Sequence, residues 1–90
     1  MIRQAYFEHP DYVPLLQLAY EQWAELEALS GKRLFHQCGL IEAGPPQGEV
    51  VPGVRRAAAL HGLCIENYTA AEAERRFAGF HFEPDHEVVF

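Results

Sequence analysis

The sequence predicts an α/β (α+β) fold, in which a small sheet is covered by a long N-terminal helix and two shorter helices. Three observations predict it. Apolar residues recur at helical spacing from Asp11 to Ser30. Two later segments open with helix-start signals, and short apolar runs separate the three helices. Strands that alternate with helices in this way are typical of a sheet with a helical layer.

The first helix is predicted over Asp11–Ser30. Asp11 is expected to be its N-cap, and Pro14 falls in the first turn, where a missing N–H costs nothing. Gly31 is expected to end the helix in a left-handed conformation. The apolar stripe is wide enough to contact two layers and consists of Tyr12, Leu16, Ala19, Trp23 and Leu26, widened by Leu15, Tyr20 and Leu29.

The middle of the chain alternates between strand and helix signals. Leu34–Ala43 is predicted to form two short strands, or one strand bulged at Gly39. Pro52 is suited to open a second helix, which is expected to stop at Gly62. Leu63–Tyr68 is predicted to be a strand.

The C-terminal part of the chain has clear helix and strand signals, whereas the first nine residues do not. Thr69 and Glu72 have the spacing of a capping box, which opens a short helix that ends near Phe77. Glu87–Phe90 is predicted to be the last strand, with an edge open to another chain. Met1–His9 is consistent with an irregular arm or with one turn of helix.

The bulk properties predict at most one small domain, residues 1–90, in the cytoplasm. A net charge of −6 and a pI near 5.2 argue against partners such as nucleic acid or an anionic membrane. No apolar run is long enough for a membrane span, and the N-terminus has no signal-peptide pattern. Cys38 and Cys64 are expected to be core thiols in a reducing compartment, with a disulfide as the alternative.

Few residues suggest chemistry by themselves. The metal-ligand pairs His36-x-Cys38 and His81-x4-His86 lack a third partner, so no metal site is predicted. The glycines form neither a dinucleotide-binding nor a P-loop pattern, and no catalytic nucleophile is recognisable. Arg3 is the remaining candidate, because an arginine can bind a carboxylate through two parallel hydrogen bonds.

An ordered series of short motifs extends over nearly the whole chain. It comprises Ile2-Arg3-x-Ala5-Tyr6, Tyr12-Val13-Pro14-Leu15, Trp23-x-x-Leu26-Glu27, Gly39-Leu40 through Gly44-Pro45, Ala71-Glu72-x-x-x-Arg76-Phe77-x-Gly79-Phe80 and Val89-Phe90. The series resembles an internal segment of the sarcosine oxidase family of FAD-dependent amine oxidoreductases, which includes monomeric sarcosine and N-methyltryptophan oxidases. Ala78 departs from the proline usual in that family.

The resemblance implies a place in the family's substrate-binding domain. Arg3 matches the family arginine that pairs with the substrate carboxylate, and Tyr6 matches a neighbouring tyrosine with a supporting role. The family oxidises a small amino-acid-like amine with FAD and releases hydrogen peroxide. The family's Gly-rich FAD-binding motif, its flavin-attaching cysteine and its oxygen-activating lysine have no counterpart in this chain, and Cys38 and Cys64 do not match that cysteine.

We therefore expect a fragment of such an oxidase that is inactive and binds no cofactor by itself. Two alternatives remain open. One is a stand-alone interaction module that forms a homodimer through the apolar face of the first helix and the edge of the last strand. The other is one subunit of a split flavin oxidase, which needs a partner carrying the Gly-rich half.

Overall fold

The structure is a computed structural model that describes residues 1–90. It contains three helices, one 3-10 turn and one three-stranded antiparallel sheet, so the predicted α+β class is confirmed. In chain order the elements are the 3-10 turn Pro10–Tyr12, α1 (Val13–Ser30), β1 (Glu42–Gly44), α2 (Val50–His61), β2 (Asn67–Thr69), α3 (Ala70–Arg76) and β3 (Glu87–Val89).

The last strand of the chain is the central strand of the sheet. The strand order is β1-β3-β2, and β3 pairs antiparallel with both neighbours. Val89 lies opposite Glu42 on one side and Asn67 on the other. The backbone groups of Phe90 and Glu66 exchange two further hydrogen bonds, of 2.9 and 3.0 Å. The expectation that the terminal strand has an open edge is therefore wrong, because the sheet edges are β1 and β2.

The core lies between the sheet and α2. Val51 and Val54 of α2 pack against Val89, and Ala5 and Phe7 of the N-terminal segment pack around this cluster. α2 lies against β1 and β3, while α3 lies against β2 and β3. The two shorter helices therefore form the layer on the sheet.

Helix α1 extends the molecule rather than filling its core. It packs against the 3-10 turn, and Val13 is its one buried residue. The radius of gyration is 14.8 Å, whereas a compact chain of this length is expected near ~12 Å. The outward leucines of α1 remain in water, and Leu29 is 87% exposed.

The predicted ends of α1 are partly confirmed. Gly31 ends the helix with φ of 66°, as expected, and Pro14 lies in the first turn. The prediction of Asp11 as N-cap is wrong, because the 3-10 turn precedes the helix and Tyr12 holds the cap position. The ring nitrogen Nδ1 of His9 accepts the Asp11 N–H at 3.2 Å and thereby caps the 3-10 turn.

The segment after α1 is mostly not a strand. Of the predicted Leu34–Ala43 region, only its end enters β1. The Glu27 carboxylate instead fixes the segment by accepting the N–H groups of Leu34 and Phe35 at 2.7 and 2.6 Å. Gly39 has φ of 84°, and a Cβ there would collide with the Phe90 ring, so this glycine serves a close contact instead of a strand bulge.

The later elements agree with their local signals. α2 ends at Gly62 with φ of 64°, although it starts two residues before Pro52, at Val50. Thr69 and Glu72 form both hydrogen bonds of the predicted capping box, and Phe77 follows the end of α3. β2 covers only the last part of the predicted strand Leu63–Tyr68.

The helices and the cysteines of the structure differ in how they agree with the sequence. None of its helices combines the length and apolar character needed to cross a bilayer. Cys38 and Cys64 are free, but both are exposed, so the prediction that they are core residues is wrong.

Candidate functional site

The N-terminal segment is irregular, and it is held against α2. Tyr6 N–H donates to the Gln4 carbonyl at 2.8 Å, which turns the chain. Phe7 then crosses α2 at Gly53, where a Cβ would collide with the Phe7 backbone. This contact fixes the segment close to the sheet and thereby positions the side chain of Arg3.

Arg3 is mostly buried and is paired with an acid. Its side chain is 18% exposed, and Nη2 donates to both carboxylate oxygens of Glu8, at 2.8 and 3.0 Å. The guanidinium also lies over two aromatic rings, 4.6 Å from the Tyr6 centroid and 5.6 Å from that of Phe7. Such rings stabilise a cation through their electron-rich faces.

A second carboxylate approaches the other end of the guanidinium. Glu42, the first residue of β1, places Oε1 3.9 Å from Arg3 Nε, which is too far for a hydrogen bond. Arg3 Nε is buried and has no hydrogen-bond partner. Burial raises the pKa of Glu42, and the Arg3 charge offsets part of this effect.

Arg3 and Glu42 both line a cavity of about 640 Å³. Thirteen of its 19 lining residues are hydrophobic. The apolar wall includes Tyr20, Phe35 and Phe90. The arrangement is one of apolar walls with a few charged groups, which is the usual composition of a small-molecule site.

The two predicted site residues are adjacent but differ in their access to this cavity. Tyr6 lies beneath the Arg3 guanidinium, and its ring centroid is 5.0 Å from that of Tyr12. Tyr6 is not among the residues that line the cavity, whereas Arg3 is. This position is compatible with a supporting role for Tyr6, and the roles of both residues remain predictions.

Sequence reasoning missed both acidic partners of Arg3. Glu8 is five residues away on an irregular segment, so no periodicity relates the two. Glu42 reaches Arg3 only because β1 pairs with β3 and the N-terminal segment crosses α2. No short-range signal could have identified this second contact.

The two close pairs of metal-ligand residue types, for which no metal site was predicted, lie apart from each other. His36 and Cys38 line the cavity, and His81 Nδ1 lies 2.8 Å from Glu74 Oε1 at the surface. No group of three His, Cys, Asp or Glu side chains is arranged to hold a metal ion.

The residues of this chain do not fit the pyrophosphate of a flavin. Strands lead into helices at the turn between β1 and α2 and at the junction of β2 with α3. Glu49 precedes α2 and Glu72 lies in the first turn of α3, and the charge of each opposes a phosphate. Pro45 and Pro46 offer no N–H group, and the Gly48 N–H already donates to the Pro45 carbonyl at 2.9 Å.

Comparison with known proteins matches the complete chain to part of larger enzymes. The N-methyl-L-tryptophan oxidase of Yersinia pestis (strain Pestoides F) is 31% identical over all 90 residues. The enzyme of the same name from Yersinia pseudotuberculosis serotype O:1b gives the same values. This chain is homologous to a segment of a sarcosine-oxidase-like enzyme. The resemblance predicted from the motif series is thus confirmed.

The chain spans about a quarter of the length of the curated relatives it matches, 24% in both cases. No protein-family profile matches it. All 90 residues of the chain therefore align with these oxidoreductases. The other three quarters of each relative have no counterpart in the chain.

Proposed function

We propose that this chain is a substrate-domain segment of a FAD-dependent amine oxidase, in which Arg3 binds the carboxylate of an N-alkylated amino acid. The observation that carries the proposal is the position of Arg3 in the wall of a largely apolar cavity. The relatives named N-methyl-L-tryptophan oxidase support this substrate class. The reaction proposed for the complete enzyme is oxidation of the amine with release of hydrogen peroxide.

Binding of a ligand carboxylate would change the pairing of Arg3. In the structure, Arg3 Nη2 donates to both carboxylate oxygens of Glu8, and Arg3 Nε has no hydrogen-bond partner. A guanidinium offers five N–H donors, so it has donors left for a second carboxylate. The Tyr6 ring beneath the guanidinium would keep it in place between Glu8 and the ligand carboxylate.

The flavin and the remaining catalytic groups must come from outside these residues. The turn before α2 is unsuited to phosphate, and no other residues of the chain are predicted to bind a cofactor. We therefore propose that the chain by itself binds no FAD and is inactive. A cytoplasmic location is proposed with it, because two exposed free thiols persist best in a reducing compartment.

The test uses the purified chain of 90 residues. Incubated with FAD and separated from free flavin, it should show no flavin absorbance. It should also form no peroxide from sarcosine or N-methyl-L-tryptophan. Stoichiometric flavin or measurable peroxide would refute the proposed inactivity.

Ligand binding tests the proposed role of Arg3 separately. Calorimetric titration with N-methyl-L-tryptophan should show saturable binding, and Arg3→Gln should weaken it at least about tenfold, because a charge-assisted hydrogen bond is lost. Arg56→Gln is the matched control, since Arg56 is exposed on α2 and does not line the cavity. Equal affinities of Arg3→Gln and the parent chain would contradict the proposed carboxylate contact.

A different observation favours a stand-alone homodimeric module as the second candidate. Leu15, Leu18, Leu26 and Leu29 lie on one side of α1, and each is at least 48% exposed. A second copy could cover this stripe, although the strand edge expected to join it is buried in the sheet. The split-oxidase alternative requires a partner chain instead, and co-purification of such a partner with FAD would favour it.

A further inference from the structure

The charges around Arg3 do not balance. One guanidinium is flanked by two carboxylates, Glu8 at hydrogen-bond distance and Glu42 at 3.9 Å. With both acids ionised, the group carries one surplus negative charge. Of the two acids, Glu42 lines the cavity and Glu8 does not, so the surplus charge faces the cavity at Glu42.

The Glu42 carboxylate also has no hydrogen-bond partner. Its side chain is 14% exposed, and its carboxylate accepts no hydrogen bond from the protein. Arg3 Nε, close to it, is a buried donor with no acceptor. A mostly buried charge without hydrogen bonds is unfavourable, so Glu42 is suited to an incoming ligand that supplies a donor. The guanidinium N–H groups that Glu8 does not use are suited to the acceptor of the same ligand.

We propose that Glu42 binds the ammonium group of a zwitterionic amino-acid ligand whose carboxylate is held by Arg3. This inference rests on the proposed function of Arg3 and assigns recognition of the amine to Glu42. In an α-amino acid a single carbon joins the two charged groups, which suits a cation and an anion 3.9 Å apart in one wall. The ligand class is therefore an amino acid with a protonated primary or N-alkylated amine.

The backbone makes Glu42 a defined position in that wall. Glu42 pairs in register with Val89 of the central strand, and Val89 belongs to the buried core cluster. Burial raises the pKa of Glu42, which agrees with a carboxylate that lacks a sufficient counter-charge in the ligand-free chain. A bound ammonium would supply that counter-charge.

The experiment compares three probes by calorimetric titration of the full chain at neutral pH. N-methyl-L-tryptophan carries both charges, N-methyltryptamine lacks the carboxylate, and indolepropionate lacks the amine. Glu42→Gln should weaken binding of the two amines at least about tenfold, because an ionic hydrogen bond is lost. It should leave the affinity for indolepropionate the same or higher. Glu49→Gln, which removes an exposed acid outside the cavity, should change none of the three.

The outcomes separate this inference from the proposed function. If Glu42→Gln leaves the amines unaffected, or weakens all three probes equally, the role of Glu42 is overturned. If Arg3→Gln leaves indolepropionate binding unchanged, the proposed role of Arg3 fails, and the zwitterion assignment fails with it. Absence of saturable binding for all three probes overturns both.

A second measurement covers the case in which Glu42→Gln does not fold. In the parent chain with carbon-labelled glutamate, N-methyltryptamine should shift the carboxyl resonance of Glu42, whereas indolepropionate should produce no comparable shift. An unchanged Glu42 resonance at saturating N-methyltryptamine would overturn the inference.

Discussion

Gly53 lies directly beneath the backbone of Phe7, and a Cβ at Gly53 would collide with the Phe7 carbonyl oxygen. This contact helps to hold the N-terminal segment, and with it Arg3, against α2. In an exposed helical position, Gly→Ala is expected to stabilise by about 1 kcal/mol. We expect the opposite sign here.

Gly53→Ala should destabilise the chain by about 1–3 kcal/mol, because the added methyl group overpacks a buried contact. Denaturant unfolding followed by far-UV circular dichroism measures the change. Ala59→Gly, at an exposed position of the same helix, is the control and should cost about 1 kcal/mol. A more stable Gly53→Ala variant would show that the close approach of Phe7 is not maintained in solution.

The Glu27 carboxylate gives the segment after α1 a pH-dependent attachment. Backbone hydrogen bonds from Phe35 and Leu34 lower the pKa of Glu27 below its ordinary value of 4.5. Above the ordinary pKa, this interaction contributes its full stabilisation to the folded chain. As the pH falls, the unfolded chain takes up the proton first, so the stabilisation decreases and is lost as the pH passes through the lowered pKa of the folded state. The Phe35 ring, 6.2 Å from the Trp23 ring, should then separate from it.

Trp23 fluorescence should therefore change below the ordinary glutamate range, and Trp23 is the sole tryptophan of the chain. Glu27→Gln should remove this acid transition and shift the neutral-pH spectrum towards the acid form of the parent. Glu25→Gln, exposed on the same helix, should leave the transition in place. An identical titration for the parent and Glu27→Gln would exclude the carboxylate as its cause.

The capping box at the start of α3 should make a measurable contribution. Thr69→Ala removes the acceptor of the Glu72 N–H, and its loss is expected to cost about 1 kcal/mol. Thr69→Ser retains the hydroxyl group and should cost less. Thermal unfolding of the three chains gives the comparison. Equal stability of Thr69→Ala and the parent would mean that water replaces the cap without loss.

The leucine stripe of α1 predicts self-association under the module hypothesis. Light scattering over a wide concentration range should then give twice the monomer mass of 10.2 kDa. Leu18→Glu and Leu26→Glu should return the chain to a monomer, because each places a charge in the apolar contact. Ala24→Glu, on the opposite side of α1, should not. A monomeric parent chain at every concentration would eliminate the homodimer.

Local signals allowed most helix ends to be predicted. Gly31 and Gly62 end their helices as expected, since a left-handed cap depends on the residue itself. The strands were harder, because a strand exists only where it finds a neighbour. Leu34–Ala43 has suitable residues, yet pairing with β3 begins only at Glu42. The position of β3 at the centre of the sheet likewise depends on pairs far apart in sequence.

In the candidate site, too, local features could be predicted and contacts between distant segments could not. Arg3 could be singled out from its motif and the family resemblance. Its pairing with Glu8 and its distance to Glu42 could not, because they depend on how three separate segments meet. The exposure of Cys64 was not predicted, because the apolar neighbours Leu63 and Ile65 suggest a buried strand. In the structure β2 begins only at Asn67, so Cys64 lies before the strand and is exposed.

The central place of β3 also has a consequence for biosynthesis. β1 and β2 do not pair with each other, and each finds its partner in residues 87–89. Because a nascent chain leaves the ribosome from its N-terminus, both earlier strands emerge before any partner exists. Helices α1, α2 and α3 have their caps by then, whereas the sheet cannot form until residues 87–89 have emerged. A chain stalled before residue 87 would expose both unpaired strands together.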